Sequence, residues 1–454
     1  MTIATIVLAA GHGKRMKSVL PKILHPILNR PIILYALEAI RSLSDIEPVV
    51  VVGHGAEDVQ LMIQQNFSQN VRFALQTEQL GTGHAVQQAQ TLLQGKSDQV
   101  IVTFGDMPLL TDATLRQVLE LHNQTGNVVT MASVIGDVPR GFGRVLRGDD
   151  GKVKAIVEEA VCTEEELLIR EYNISAWCFE ADWLWESLQK IKISPKGEYY
   201  LTDLVEIAVA QGRSVDSFVV PDPVEGLGIN TRVDLADCET AMRQRINRHW
   251  MLEGVTLLDP ATTTIEPTVT IGQDCIIHSS THLRGKTSIG KHCEIGPNTT
   301  LLDTCVGENC QISYAVSEGA QIGNHVSMGP YCHLRRGAVL HDYVHLGNFG
   351  EVKMSELMEG VKMGHFSYIG DATIGENVNI GAGTITCNFD GEKKNRTEIG
   401  ENTFIGSDTM LVAPVKIGKN AITAAGSVVT HDVPDDTLVM GMPARPKERK
   451  EKSD

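Results

Sequence analysis

In the first half of the chain the apolar positions come as short unbroken runs: Thr5 to Leu8, Val49 to Val52, Val100 to Phe104 and Val128 to Ser133. Such runs, rich in β-branched residues, read as strands buried on both faces. Between them Pro31 to Ser42 and Leu80 to Leu93 read as helices. Strand, helix, strand in that order predicts a doubly wound, Rossmann-like α/β domain with its ligands beyond the carboxyl ends of the strands. The first apolar run, Ile3 to Ala10, has no basic leader and is followed by a basic glycine-rich loop, so it reads as a strand and not as a signal peptide. No apolar stretch approaches the roughly 20 residues of a membrane helix, and no membrane span is expected.

Leu235, Met242, Ile246 and Trp250 then recur near helical spacing among many charges, with Gly254 as a stop signal. This predicts a helical linker over 233–253, separating a domain over 1–232 from one over 254–454. Beyond the linker the pattern changes period. Ile289-Gly290, Ile295-Gly296 and Leu301 stand six apart, as do Ile322-Gly323, Met328-Gly329 and Leu334, and Ile399-Gly400, Ile405-Gly406, Leu411 and Ile417-Gly418. A hexapeptide repeat of this kind predicts a prism of short parallel strands, three hexads to a coil, with each sixth aliphatic side chain inward and the small residue after it at a corner. Phase slips between 301 and 322, and between 380 and 399, are expected to mark inserted surface loops. Cys275 and Cys293 are 18 apart and would stack on adjacent coils about 4.8 Å from each other. That geometry admits a disulfide, but a ladder of small reduced side chains is expected.

Composition removes some classes of function. Against 56 Asp and Glu the 454-residue chain sets 40 Lys and Arg, a net charge of −16 that repels a phosphate backbone, so nucleic acid is not expected as the main partner. Its nine cysteines contain no CxxC pair, and a chain this long needs no staples, which fits a reducing cytoplasm. Six histidines of the repeat region, His278, His282, His325, His333, His341 and His345, form no recognisable ligand cluster, and no structural metal is expected.

Local cation chemistry runs against the global charge in one loop. Leu8-Ala9-Ala10-Gly11-His12-Gly13-Lys14-Arg15-Met16 follows the first strand directly, with Pro21-Lys22 close behind, so backbone amides and cations converge as a triphosphate requires. It is not GxGxxG, because Met16 stands where the last glycine belongs, and it is not a Walker loop, because no Ser or Thr follows Lys14 at the required spacing. A plain turn would explain Gly11 and Gly13 but not Lys14, Arg15 and Lys22.

At this loop the sequence resembles the sugar-nucleotide pyrophosphorylases. With the repeat region added it resembles the bifunctional N-acetylglucosamine-1-phosphate uridylyltransferase and glucosamine-1-phosphate N-acetyltransferase family. The resemblance runs through Gln76, Gly81-Thr82-Gly83-His84-Ala85, Gly105-Asp106, Gly141-Phe142-Gly143-Arg144, Glu158, Asn173, Gly197-Glu198-Tyr199-Tyr200 and Asn230. It implies that Leu8, Ala9, Ala10, Gly11, Gln76, Gly81 and Thr82 hold the uridine of UTP, with Lys22 near the phosphates. Gly143, Glu158 and Asn173 would hold the acetylamino sugar, and Asp106 and Asn230 would ligate Mg²⁺, which takes a few oxygens plus phosphates and water. Taken alone, Asp106 reads equally as a strand-end carboxylate and Asn230 as a turn residue. Phe104 stands where the family has tyrosine.

For the repeat region the resemblance implies a left-handed parallel β-helix that transfers an acetyl group from acetyl-CoA to glucosamine 1-phosphate and packs as a homotrimer with sites between subunits. Acetyl transfer to an amine needs a base for its proton. By resemblance His365 is that base, oriented by Glu351, while Arg335, Lys353, Tyr368 and Asn379 hold glucosamine phosphate. Ala382, Ser407 and Ala425 would line the acetyl-CoA path, with Asn388 and Phe389 beside it at the start of a basic loop to Thr397. Cys387 reads as a small lining residue. Departures from the family are Arg336 for proline, Phe389 for tyrosine, and an end reading Gly441-Met442-Pro443-Ala444-Arg445 in place of an arginine near the coenzyme phosphates. Arg445 or Lys447 could substitute, although the mixed-charge run Arg445 to Lys452 reads as a solvated mobile tail. An alternative keeps the nucleotidyltransferase and makes the prism a noncatalytic oligomerisation or regulatory module; His365 with Lys353 and Asn379 argues against it.

Overall fold

The structure is a computed structural model that describes residues 1–136 and 141–447. By its contacts the chain divides into two compact units, Met1–Met242 and Arg243–Asp454.

The first unit is built on one twisted sheet with strands β1 (Ile3–Ala9), β2 (Val49–Val52), β3 (Arg72–Leu75), β4 (Gln99–Phe104), β5 (Val129–Ile135), β6 (Arg144–Arg147), β7 (Val153–Val157), β8 (Glu171–Glu180) and β9 (Val215–Val219). Its order is β9-β5-β8-β4-β1-β2-β3, with β6 bridging β8 to β7. The expected strands are all present, β1 pairs parallel with β2 and with β4, and each of these three is almost wholly buried, as their unbroken runs require. On the seven-strand path β8 departs from the parallel scheme, running antiparallel between β4 and β5, and the side pairings of β6 with β8 and β7 are antiparallel too. The chain leaves β1 toward β2 and β3 on one side and returns to β4 on the other, so the strand order reverses between β1 and β4. A crevice opens at such a reversal because the flanking helices diverge there. Helices α1 (Ile32–Ile40), α2 (Ala56–Asn66) and α4 (Asp112–Thr125) cover one face, and α3 (Thr82–Gln88), α5 (Ala181–Leu188) and α6 (Asp203–Ala210) the other. The helix expected over Leu80 to Leu93 is realised as α3 followed by a short turn at Gln90–Leu93.

The division between units falls inside helix α7 (Arg232–Leu252). Its first half buries Cys238 and Met242. In its second half Ile246 and Trp250 pack on the prism core, and Asn247 Nδ2 donates to the carbonyls of Pro260 and Thr263 at 2.8 and 3.0 Å.

The second unit is a prism of three sheets holding twelve, ten and nine strands. Thr270 pairs with Ser288, Ile276 with Glu294 and His282 with Thr300, each 18 residues on, which is three hexads to the coil. The inward residues Ile277, Leu283, Ile289, Ile295 and Leu301 are all buried, and each contributes about 1.5–3 kcal/mol of burial. Corners are turned in the left-handed region, where Asn and Asp cost less than branched residues; Asp274, Asn298, Asn309, Asn377 and Asn402 hold positive φ there. Cys275, Cys293 and Cys310 stack as a ladder of free thiols, the amide of each later residue resting 3.4 Å from the sulfur below it.

Two expectations need correction. The phase slip between 301 and 322 is a shortening and not an insertion: Glu294 pairs with Gln311 and Gln311 with Ser327, so these coils are one or two residues short. By contrast Asn379 pairs with Phe404, 25 residues on, which makes the second slip a true inserted loop. The run from Arg445 is also not a mobile tail at its start, since Arg445–Lys447 pairs antiparallel with Leu438–Met440 as a closing hairpin. Residues 448–452 of that run lie outside the described residues.

Candidate functional site

At the strand reversal of the α/β unit lies a cleft of about 780 Å³, within the usual range for a small-molecule site. Leu8, Ala9, Ala10, Gly11, Lys22, Gln76, Gly81, Thr82, Asp106, Gly143, Glu158, Asn173 and Asn230 all line it. The loop after β1 turns through Gly13, at φ 60°, into a single helical turn Lys14–Met16 anchored by the buried Met16. Gln76 follows β3; its Nε2 donates to the Gly81 carbonyl at 3.1 Å and lies 3.1 Å from His84 Nδ1. Gly81 has φ 100°, and a Cβ there would lie 2.6 Å from the Tyr199 carbonyl oxygen, so no other residue fits. Thr82 Oγ1 accepts from the Leu201 amide at 2.9 Å, tying this wall to the segment before α6.

Asp106 comes at the end of β4 and Asn230 just before α7, and the Ile229 amide donates to the Asp106 carbonyl at 3.0 Å to hold them together. The Lys22 ammonium is ion-paired with Asp106 Oδ2 and lies 3.4 Å from Asn230 Oδ1, which also accepts from Arg15 at 2.8 Å. A carboxylate and an amide oxygen thus converge on one cation. Two hard oxygens facing one point, open to a cleft with room for phosphates and water, is a donor set that fits Mg²⁺.

On the opposite wall the Glu158 carboxylate accepts from the Thr202 hydroxyl at 3.0 Å. Burial pushes the Glu158 carboxyl above the ordinary range, against the opposing pull of that hydrogen bond. Asp203, next along, is raised to about 6 by burial and by the charges of Glu206 and Glu158. Asn173 donates its amide to the Gly143 carbonyl at 3.0 Å and accepts from the Ser175 amide at 3.1 Å. A bulge in β8 between Asn173 and Trp177, with Ser175 at φ 60°, aims this stretch into the cleft. Sequence reasoning missed Ser175, Trp177 and Thr202 as lining residues; nothing in Glu171–Glu180 reads as a bulge.

On the prism the expected residues share one open region. Arg335 and Lys353 follow the inward Leu334 and Val352 of paired strands, and Tyr368 pairs with Glu351 on the same sheet. Tyr368 has room because Gly370 lacks a side chain; a Cβ there would lie 2.4 Å from the phenol oxygen. Glu351 does not orient His365 as expected: its Oε1 accepts from Arg335 at 3.1 Å instead. His365 is exposed, at a corner. Ala382, Ser407 and Ala425 occupy the same corner of the next three coils, each two residues past an inward side chain, and they are linked by Asp408 N to Ala382 O (2.6 Å) and Gly426 N to Ser407 O (2.8 Å). Asn379 flanks that corner from the neighbouring sheet, beside Lys362. Asn388 is buried and donates to Tyr368 Oη at 3.5 Å and to Asp371. Phe389 is 59% exposed and opens the inserted loop, which closes by a bridge to Lys394. Asp390 organises that loop by accepting from the amides of Glu392 and Lys393, contacts that hold its carboxyl down at about 2. Lys394 was missed by sequence reasoning. It lies against Lys353 and, with Arg335, holds that ammonium below the usual lysine range, a cluster of like charges that an anion would relieve.

Four of the six prism histidines weighed as metal ligands have ordinary partners. His278 and His341 face Glu294 and Glu356 at 2.8 and 2.9 Å, His345 faces Ser327 at 2.7 Å, and His325 stacks on Tyr343. Among the described residues no helix is long and apolar enough to cross a membrane.

Residues 5–165 match the MobA-like NTP transferase domain, and residues 268–303 and 396–431 match the bacterial transferase hexapeptide (six repeats). The second unit is therefore a left-handed β-helix of hexapeptide repeats. Over 436 residues the chain is 45% identical to the bifunctional protein GlmU of Exiguobacterium sibiricum, covering 96% of each chain. It is 44% identical to that of Heliobacterium modesticaldum, covering 96% of this chain and 94% of the relative, and 44% identical to that of Caldanaerobacter subterraneus, covering 96% and 95%. The matches to these relatives span both halves, so the reading of the prism as a noncatalytic module is not favoured. The chain belongs to the family of bifunctional GlmU proteins.

Proposed function

We propose how the two halves divide the synthesis of UDP-N-acetylglucosamine, the product of a bifunctional uridylyltransferase and acetyltransferase of this family. The observation that carries the reading is the cleft: groups suited to a nucleotide base, a phosphate chain and a sugar line one cavity in one chain. Leu8 to Gly11, Gln76, Gly81 and Thr82 take the uridine, and Lys22 with the loop cations takes the phosphates. Gly143, Glu158 and Asn173 take the acetylamino sugar, whose hydroxyls need buried polar partners. Asp106 and Asn230 would hold Mg²⁺, which supplies charge neutralisation on the phosphates when bound. The sugar phosphate oxygen attacks the α-phosphorus of UTP, the bond to the β-phosphate oxygen breaks, and pyrophosphate leaves. In this step the chain contributes alignment and positive charge.

On the prism Arg335, Lys353 and Lys394 take the phosphate of glucosamine 1-phosphate, with Tyr368 and Asn379 on the sugar. Acetyl-CoA lies along the small corner formed by Ala382, Ser407 and Ala425, beside Asn388 and Phe389. His365 accepts a proton from the amine as the nitrogen attacks the thioester carbonyl, and the coenzyme leaves as a thiolate that takes up a proton. The exposed column Tyr314, Tyr331 and Phe349, with ring centres 5.6 and 5.1 Å apart, and the exposed Phe366 beyond it give this corner an apolar edge for a second copy. That edge supports a homotrimer with acetyltransferase sites shared between subunits, and the nine free cysteines fit a reducing cytoplasm.

The test is thiol release from acetyl-CoA with glucosamine 1-phosphate, with uridylyl transfer followed in the same samples, for wild type and His365→Ala. The reading predicts that thiol release falls by about 10²–10⁴-fold while uridylyl transfer holds. A wild type that releases no thiol would make the prism a scaffold.

A further inference from the structure

Arg144 is among the largest fully buried side chains of the chain, at 1% exposure, yet it belongs to none of the groups assigned above. Its surroundings are unfavourable by stability alone. Its guanidinium forms an ion pair with Glu159 Oε2 at 3.0 Å that lacks hydrogen-bond alignment, and its Nε is buried with no hydrogen-bond partner among the described residues. Taking a cation out of water costs several kcal/mol, and an apolar side chain of the same volume is often as good or better for stability.

What distinguishes Arg144 is where its contacts fall. One nitrogen donates to the Phe142 carbonyl, the residue before Gly143. The ion pair is with Glu159, the residue after Glu158. Its guanidinium carbon lies 5.1 Å from the ring centre of Tyr172, the residue before Asn173. The backbone repeats the arrangement, with Arg144 paired to Tyr172 on one side and to Val157 on the other. Each residue assigned to the sugar therefore has a chain neighbour in contact with one rigid, planar side chain.

We propose that Arg144 is a positioning residue for the sugar subsite, a pin that fixes Gly143, Glu158 and Asn173 relative to one another. A planar fork with fixed donor directions sets the separation of the three segments, which a lysine or an apolar chain of similar size does not. The proposal rests on the reading that these three residues hold the acetylamino sugar.

The experiment measures steady-state uridylyl transfer by the full-length protein carrying Arg144→Met, Glu159→Gln or Asn173→Ala, with thermal melting and thiol release from acetyl-CoA as fold controls. In Arg144→Met the KM for N-acetylglucosamine 1-phosphate should rise about tenfold, equivalent to one lost hydrogen bond. The KM for UTP and the acetyltransferase rate should stay within twofold. Glu159→Gln should move the sugar KM in the same direction by less, and it carries the test if Arg144→Met does not fold. A folded Arg144→Met with an unchanged sugar KM, or with the KM values for sugar and UTP rising in step, would overturn the pin. If that happens while Asn173→Ala still raises the sugar KM, the pin alone fails. If Asn173→Ala also leaves the sugar KM unchanged, the assignment of the sugar subsite fails with it.

Discussion

The α/β unit and the prism each gather the residues proposed to bind a phosphorylated sugar, but only the first encloses them. In the α/β unit the residues from β1, β3, β4, β6, β8 and the start of α7 meet around one cavity, because a sheet whose strand order reverses leaves a crevice there. A prism of parallel coils has no such reversal. Its interior is filled by the inward side chains of the hexads, and its flat faces can present groups but not surround them. His365, Phe366 and Phe389 are accordingly exposed on a single chain. The difference teaches that the same ligand chemistry places different demands on assembly: the proposed nucleotide site is enclosed by one copy, whereas the proposed prism site needs a second copy to close it.

The sharpest way to separate the two regions is Asp106→Ala. It removes the carboxylate that converges with Asn230 on one cation, and uridylyl transfer should fall on the order of 10³-fold while acetyl transfer is untouched. Normal synthesis of the UDP-sugar by this variant would sink the metal assignment. A smaller effect in the cleft should come from pH. The Glu158 carboxyl is raised, so on acidification it takes up a proton above the ordinary carboxylate range near 4.3 and stops accepting from sugar hydroxyls. The KM for the sugar phosphate should then rise as pH falls, starting above that range. Thr202→Val, which removes the hydrogen bond that lowers the Glu158 pKa, should move the rise to higher pH. An acid limb in the same place for both proteins would remove Glu158 from the sugar subsite.

Much of this was legible in the sequence because the periods are strict. Unbroken runs located β1, β2, β4 and β5, and hexads located the inward side chains of the prism. Register then explains why Ala382, Ser407 and Ala425 share a corner with His365, since all four stand two residues past an inward position. Side-chain partners were not legible. Whether Glu351 turns toward His365 or Arg335 depends on rotamers across two coils, and the structure pairs it with Arg335. The bulge in β8 has no glycine or proline to announce it, so Ser175 and Trp177 could not be placed in the cleft. The shortened coils near 311 were misread because a missing residue and an extra one disturb the phase of a hexad alike; only pairing distinguishes them.

Both activities measured on one dilution series, with oligomeric state followed in parallel, test the central claim most directly. The account predicts that uridylyl transfer per chain is constant at every concentration, whereas acetyl transfer per chain collapses as the assembly dissociates. A monomer with full acetyltransferase activity would contradict it.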